Sequence, residues 1–120
     1  MGVSMRYGTP FPNAGNRIIS GKDAGGTNFF CKLPDGTQFC WGSVSIGRSN
    51  GQNQATVVFA AEFADTPIAF SNYKTGRPDL WHDAVTSYST TGLKITLYVE
   101  ASGSTAPDTI YYMAIGRRKD

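Results

Sequence analysis

From Gly92 to Glu100 the chain reads Gly-Leu-Lys-Ile-Thr-Leu-Tyr-Val-Glu. Extended backbone puts Leu93, Ile95, Leu97 and Val99 on one side and Lys94, Thr96, Tyr98 and Glu100 on the other. A sustained period of two is the mark of a half-buried β-strand, because successive side chains of a strand leave opposite faces. A helix would scatter the same apolar residues around its circumference. A strand with one apolar face must lie in a sheet that packs on a second layer, so this segment commits the fold to stacked β-structure.

The remainder follows the same grammar. Ala55 to Phe59, Ile68 to Tyr73, Leu80 to Ser87 and Thr109 to Ile115 read as further strands. Gly47 to Asn53, Lys74-Thr75-Gly76-Arg77-Pro78, Ser89 to Gly92 and a Gly/Ser/Pro stretch over 101–107 read as the turns and loops between them. Fourteen glycines and six prolines, with only 17% charged residues, suit short strands and frequent turns. The expectation is an all-β fold, an antiparallel sandwich of six to seven strands. Residues 1–26, rich in glycine and proline with only Arg17-Ile18-Ile19 strand-like, are expected to form an arm or connector, and 27–120 the sandwich domain.

A hairpin is expected at Leu33-Pro34-Asp35-Gly36-Thr37. Pro, Asp and Gly in this order suit a type I turn closed by a glycine bulge. That loop pairs Leu33 with Thr37, Cys31 with Phe39 and Phe29 with Trp41. Leu33, Cys31, Phe29, Phe39 and Trp41 then share a face expected to point inward, with Lys32 and Gln38 outward. The same register sends Cys31 and Cys40 to opposite faces, so both are expected as free thiols. Beyond Trp41 the alternation slips, with Val44 and Ile46 on the other phase, and a bulge at Gly42 is expected to restore it.

Several function classes find no support in the residues. The net charge is +2, and the basic residues are scattered apart from Arg117-Arg118-Lys119, so no basic stripe interleaved with aromatics offers a nucleic-acid surface. Nothing approaches the ~20 apolar residues of a membrane span, and the start of the chain lacks a signal-peptide layout, so any route out of a cell is expected to be another one, such as lysis. His82, the one histidine, has no nucleophile at a recognisable elbow. Asp79 and Asp83, four apart on an extended strand, stand roughly 13 Å from one another, too far for a glycosidase pair. The two cysteines lack further partners for zinc, and no phosphate-cradling glycine loop occurs. The chain is therefore read as non-enzymatic, without metal or cofactor.

Binding chemistry is concentrated between Asn72 and Asp83. Sugars are held by stacking on aromatic rings while polar groups meet their hydroxyls, and Tyr73, Lys74, Arg77, Asp79, Trp81, His82 and Asp83 supply that mixture, with Glu100 and the 101–107 loop as neighbours. The alternative for Trp81 is a place in the core or a subunit interface; Tyr98, Tyr111 and Tyr112 have the same two readings, with core or interface expected for most of them.

Residues 55–116 also resemble a known family. Val57-Val58-Phe59, Phe63, Thr66-Pro67, Thr90-Thr91-Gly92-Leu93 and Tyr112-Met113-Ala114-Ile115-Gly116 occur in the order seen in the H-type lectin-like domain of invertebrate agglutinins and of bacteriophage tail-fibre tips. The hairpin with Asp35-Gly36-Thr37 and Trp41-Gly42 is similar to phage and prophage versions. The resemblance implies a homotrimeric sandwich with sites between neighbouring subunits, in a virion tail fibre that recognises a bacterial surface glycan or other receptor. It implies attachment to other tail proteins, assigned here to the N-terminal arm. The alternative is a structural virion part, a trimerising cap or attachment knob without a glycan site. Family lectins for N-acetylgalactosamine carry Trp-His where this chain has Glu100-Ala101, and an Arg where Leu80 or Trp81 stands, so that sugar specificity does not transfer.

Overall fold

The alternating segments do become strands. The structure, a computed structural model, describes residues 17–73, 81–100 and 106–120. Among these are eight strands: β1 (Ile19–Lys22), β2 (Asn28–Lys32), β3 (Thr37–Ile46), β4 (Gly51–Val58), β5 (Ile68–Asn72), β6 (Trp81–Tyr88), β7 (Gly92–Val99) and β8 (Asp108–Arg117). They form two antiparallel sheets, one of five strands in the order β1-β2-β3-β8-β5 and one of three in the order β4-β7-β6. The chain is all-β, as expected, with more strands than the six or seven anticipated. The extra one is β1, which pairs Ile19 to Lys22 with Lys32 to Phe29 and so draws part of the glycine-rich leader into the larger sheet.

The two sheets close on each other with Leu93, Ile95, Leu97 and Val99 of β7 facing Cys40 and Ile46 of β3 and Ile110, Tyr112 and Ala114 of β8, all buried. Phe59 and Phe63, from the connection after β4, plug one end edge to face at 5.2 Å, a favoured aromatic geometry. Contacts between the sheets run from β3 to β4 and from β5 to β6, so the smaller sheet covers β3, β8 and β5 while β1 and β2 overhang it.

The hairpin register is the expected one: Phe29 pairs with Trp41, Cys31 with Phe39 and Lys32 with Gln38, while Leu33 N–H donates to Thr37 O at 2.8 Å. Gly36 takes φ 97°, the left-handed conformation that a glycine after the turn supplies. Cys31 and Cys40 are free thiols. The direction of the faces is reversed, however. Gln38 and Cys40 are fully buried, whereas Phe29, Cys31, Phe39 and Trp41 face away from the core. Gln38 is tolerated inside because its amide is satisfied: Nε2 donates to Ala61 O and Glu62 O, both at 3.1 Å, and Oε1 accepts from Lys119 N–H at 3.3 Å.

The bulge expected at Gly42 is absent, since β3 pairs with β8 without interruption from Thr37 to Ile46. Gly42 answers a close approach instead: a Cβ there would lie 2.2 Å from Thr27 O. The change of phase along β3 reflects two apolar faces, the core on one side and the outer surface on the other. A register shift occurs elsewhere, in β6 between Val85 and Ser87.

Candidate functional site

Antiparallel connectivity brings three connections to one end of the sandwich. The β3–β4 loop, the segment between β5 and β6 and the segment between β7 and β8 all leave from that end. The β3–β4 loop is held by Asn53, whose Oδ1 accepts from Ser49 N–H at 3.1 Å and whose Nδ2 donates to Ser49 O at 2.8 Å and Leu97 O at 3.3 Å. That clamp aims Arg48 across the end.

Arg48 Nε donates to Ala106 O at 2.9 Å, and its guanidinium reaches Asp108 Oδ2 at 3.7 Å. Tyr73, just past β5, donates its hydroxyl to the same carboxylate oxygen at 3.0 Å. Its ring stacks on Trp81, with centroids 5.9 Å apart and planes at 29°. The Arg48 guanidinium carbon lies 5.9 Å from the Trp81 ring centre, within cation–π range. Burial raises the Tyr73 hydroxyl above its ordinary pKa, with Asp108 adding to the rise. The Thr109 N–H, then the Tyr73 hydroxyl, hold the Asp108 carboxyl below the usual carboxylate range.

The residues named from sequence separate accordingly. Tyr73 and Trp81 meet, but Tyr73 is buried and the Trp81 ring is engaged by Tyr73 and Arg48, so the pair braces this end of the sandwich. Asp83 points between the sheets and accepts from Ser71 Oγ at 2.7 Å. His82 and Glu100 are exposed. Lys74, Arg77 and Asp79 lie outside the described residues.

Two residues of this cluster, Arg48 and Asp108, escaped sequence reading because nothing in the spacing of residues so far apart signals that their loops meet. Of the three tyrosines expected mostly in core or interface, Tyr98 is not in the core of the chain: it is 47% exposed. The strict alternation of β7 already placed it on the polar phase. In the sheet it is flanked by Gln52 and His82, its register partners on β4 and β6. The exposed row Gln52-Tyr98-His82, with Glu100 just beyond, offers an amphipathic ring with polar groups on both sides. Tyr112 is buried, donating its hydroxyl to Asn28 Oδ1 at 2.6 Å, and Tyr111 is exposed on the opposite face of the molecule.

Among the described residues no three His, Cys, Asp or Glu side chains gather where they could hold a metal ion. No helix among them is long and apolar enough to cross a membrane.

No protein-family model and no curated protein matches the chain. Solved structures do. The C-terminal part of the Pseudomonas aeruginosa R1 pyocin fibre superposes with a TM-score of 0.63 at 23% identity over 82% of this chain. The N-truncated R1-type pyocin tail fibre gives 0.61 at 23% identity, and the corresponding R2 pyocin fibre of P. aeruginosa gives 0.59 at 16%. The chain spans 28% of the first of these structures and 86% of the truncated one. At this identity the likeness is one of fold, and the fold is that of pyocin tail-fibre structures.

Proposed function

We propose that the chain is the receptor-binding part of a phage-tail-like fibre, a non-enzymatic homotrimer that recognises a bacterial surface glycan or other receptor during attachment. The observation that carries the reading is the exposed row Gln52-Tyr98-His82 beside Glu100, at the loop end of a sandwich built like a pyocin tail fibre. Tyrosine offers a flat apolar face for the C–H side of a sugar, and glutamine, histidine and glutamate are suited to its hydroxyls. Lys74, Arg77 and Asp79, from the segment that joins Tyr73 to Trp81, remain proposed ligand-binding residues on their chemistry alone. Trp81 and Tyr73 support the exposed row from beneath. Residues 1–26 are assigned the attachment to other tail proteins, the virion is the location, and host lysis the route of release.

The second reading, a trimerising cap or attachment knob without a glycan site, draws support from the engagement of Tyr73 and Trp81 within the scaffold. Whole-cell binding and a glycan array on the purified protein separate the two. Tyr98→Ala is expected to abolish binding with an unchanged melting temperature, and Trp81→Ala to lower the melting temperature. Full binding by Tyr98→Ala and His82→Ala would remove this surface from the receptor site. Absence of any binding by an intact, assembled protein would favour the cap.

A further inference from the structure

The row Gln52-Tyr98-His82 lies at the end of the sandwich from which the β3–β4 loop leaves. β1 starts at the other end, beside the Leu33–Thr37 turn, because Ile19 pairs with Lys32. The chain that precedes β1 therefore joins the domain at the end away from that row.

β1 is poorly equipped to hold this junction by itself. It is four residues long and exposed throughout, and as an edge strand it is paired on one side only, by β2. Ile18 just before it is 66% exposed. A short strand near a terminus opens locally at little cost when few buried contacts oppose it.

What meets the start of β1 is a buried arginine. Arg118, just past β8, bridges to Phe63, and its N–H donates to Gly36 O at 2.7 Å. Its side chain is only 2% exposed. Nη1 donates to Arg17 O at 2.6 Å and to Leu33 O at 3.0 Å, and Nε donates to Asp120 Oδ1 at 2.7 Å. One guanidinium thus joins the lead into β1, the end of β2 and the residues after β8, which its planar fork of donors allows. The neighbours keep it in place. Ala64 N–H donates to Arg117 O at 3.0 Å, Lys32 Nζ to Lys119 O at 2.6 Å, and Lys119 Nζ pairs with Glu62 Oε1 at 2.9 Å. A charge buried this deeply is costly unless its donors are engaged, so the bond to the Arg17 carbonyl resists opening in a way that a surface pair does not. Arg117 provides the contrast, being 68% exposed and paired with Asp65 in solvent.

We infer that Arg118 is a clamp that fixes the junction between the N-terminal arm and the sandwich. Held at Arg17, β1 stays on β2, and the chain enters the domain in the direction that the sheet sets. The use of such a clamp rests on the proposed attachment through residues 1–26: a fibre tip keeps its receptor row aimed only when the junction does not swing. The clamp itself is a property of the sandwich.

Hydrogen exchange read by mass spectrometry on the full chain tests it. Residues 19–22 are expected to be protected in the wild type. Arg118→Ala is expected to speed their exchange by about tenfold or more, the weight of one hydrogen bond to a charged group, while residues 93–99 of β7 keep their protection. Arg118→Lys is expected to fall between the two, because an ammonium lacks the fork, and Arg117→Ala to change nothing. Should Arg118→Ala loosen β7 as well, Arg118→Lys decides: a larger change in β1 than in β7 supports the clamp, and equal changes overturn it. Exchange of residues 19–22 at the unfolded rate in the wild type, or unchanged by Arg118→Ala, would also overturn it. No receptor enters these readings. Failed whole-cell binding with β1 protected would remove the fibre-tip reading and leave the clamp, whereas an open β1 would remove the clamp and leave the receptor row.

Discussion

Replacing Gln38 by alanine tests the reversed face of the β2–β3 hairpin most directly. An outward glutamine on a strand is a surface group, and its removal changes stability by no more than about 0.5 kcal/mol. In the structure Gln38 is fully buried and its amide joins three places, the carbonyls of Ala61 and Glu62 and the N–H of Lys119. Each such bond contributes about 1 kcal/mol net, so the loss is about 3 kcal/mol. Two effects adjust that figure in opposite directions. Water reaches the part-buried partners once the amide is gone, which reduces the loss, and the vacated side-chain volume adds to it. For a domain of this size the change is on the order of 10 °C in melting temperature. The measurement is urea unfolding of both proteins at one fixed chain concentration, because assembly makes apparent stability concentration-dependent. Gln54→Ala, on the exposed face of β4, is the control and is expected to change little. Equal, sub-0.5 kcal/mol effects for Gln38→Ala and Gln54→Ala would refute the buried role of Gln38.

Three further outcomes follow from the same geometry. Gly42→Ala is expected to cost about 2–3 kcal/mol in urea unfolding, since its Cβ would press on Thr27 O, whereas a mere bulge glycine would tolerate alanine. Thiol titration of unreduced protein is expected to find two free thiols after unfolding, with Cys40 unreactive before it, because burial both shields that thiol and raises its pKa. The pH profile is expected to fall at both ends. Asp23, held below the usual carboxylate range first by the Asn28 side chain, and Asp108, held there first by the Thr109 N–H, stabilise the fold above about pH 4, and that contribution is lost as pH falls through their depressed values. Tyr73 and Tyr112, raised chiefly by burial, contribute fully below about pH 10 and lose that contribution as pH rises through their folded values. Tyr112→Phe is expected to flatten the alkaline limb in a melting series, and an unchanged limb would remove Tyr112 as its cause.

What the sequence determined alone is what neighbouring residues settle among themselves. The alternation of Leu93 to Val99 committed that strand and its inward face, because one phase was apolar and the other polar. The Pro34-Asp35-Gly36 turn set the hairpin register and kept Cys31 and Cys40 on opposite faces, because turn chemistry fixes which residues pair. Which face of β3 looks inward was open to no such reading. Both of its phases carry apolar residues, Phe39 and Trp41 on one and Cys40, Val44 and Ile46 on the other. Only the position of the covering sheet, contributed by β4, β7 and β6, decides between them. The loop end was equally closed to inspection along the chain. Arg48, Tyr73, Trp81 and Asp108 come from separate connections, and their meeting depends on where antiparallel strands begin and end in space. Local pattern thus decides pairing and phase, and tertiary packing decides which apolar face becomes core and which stays outside.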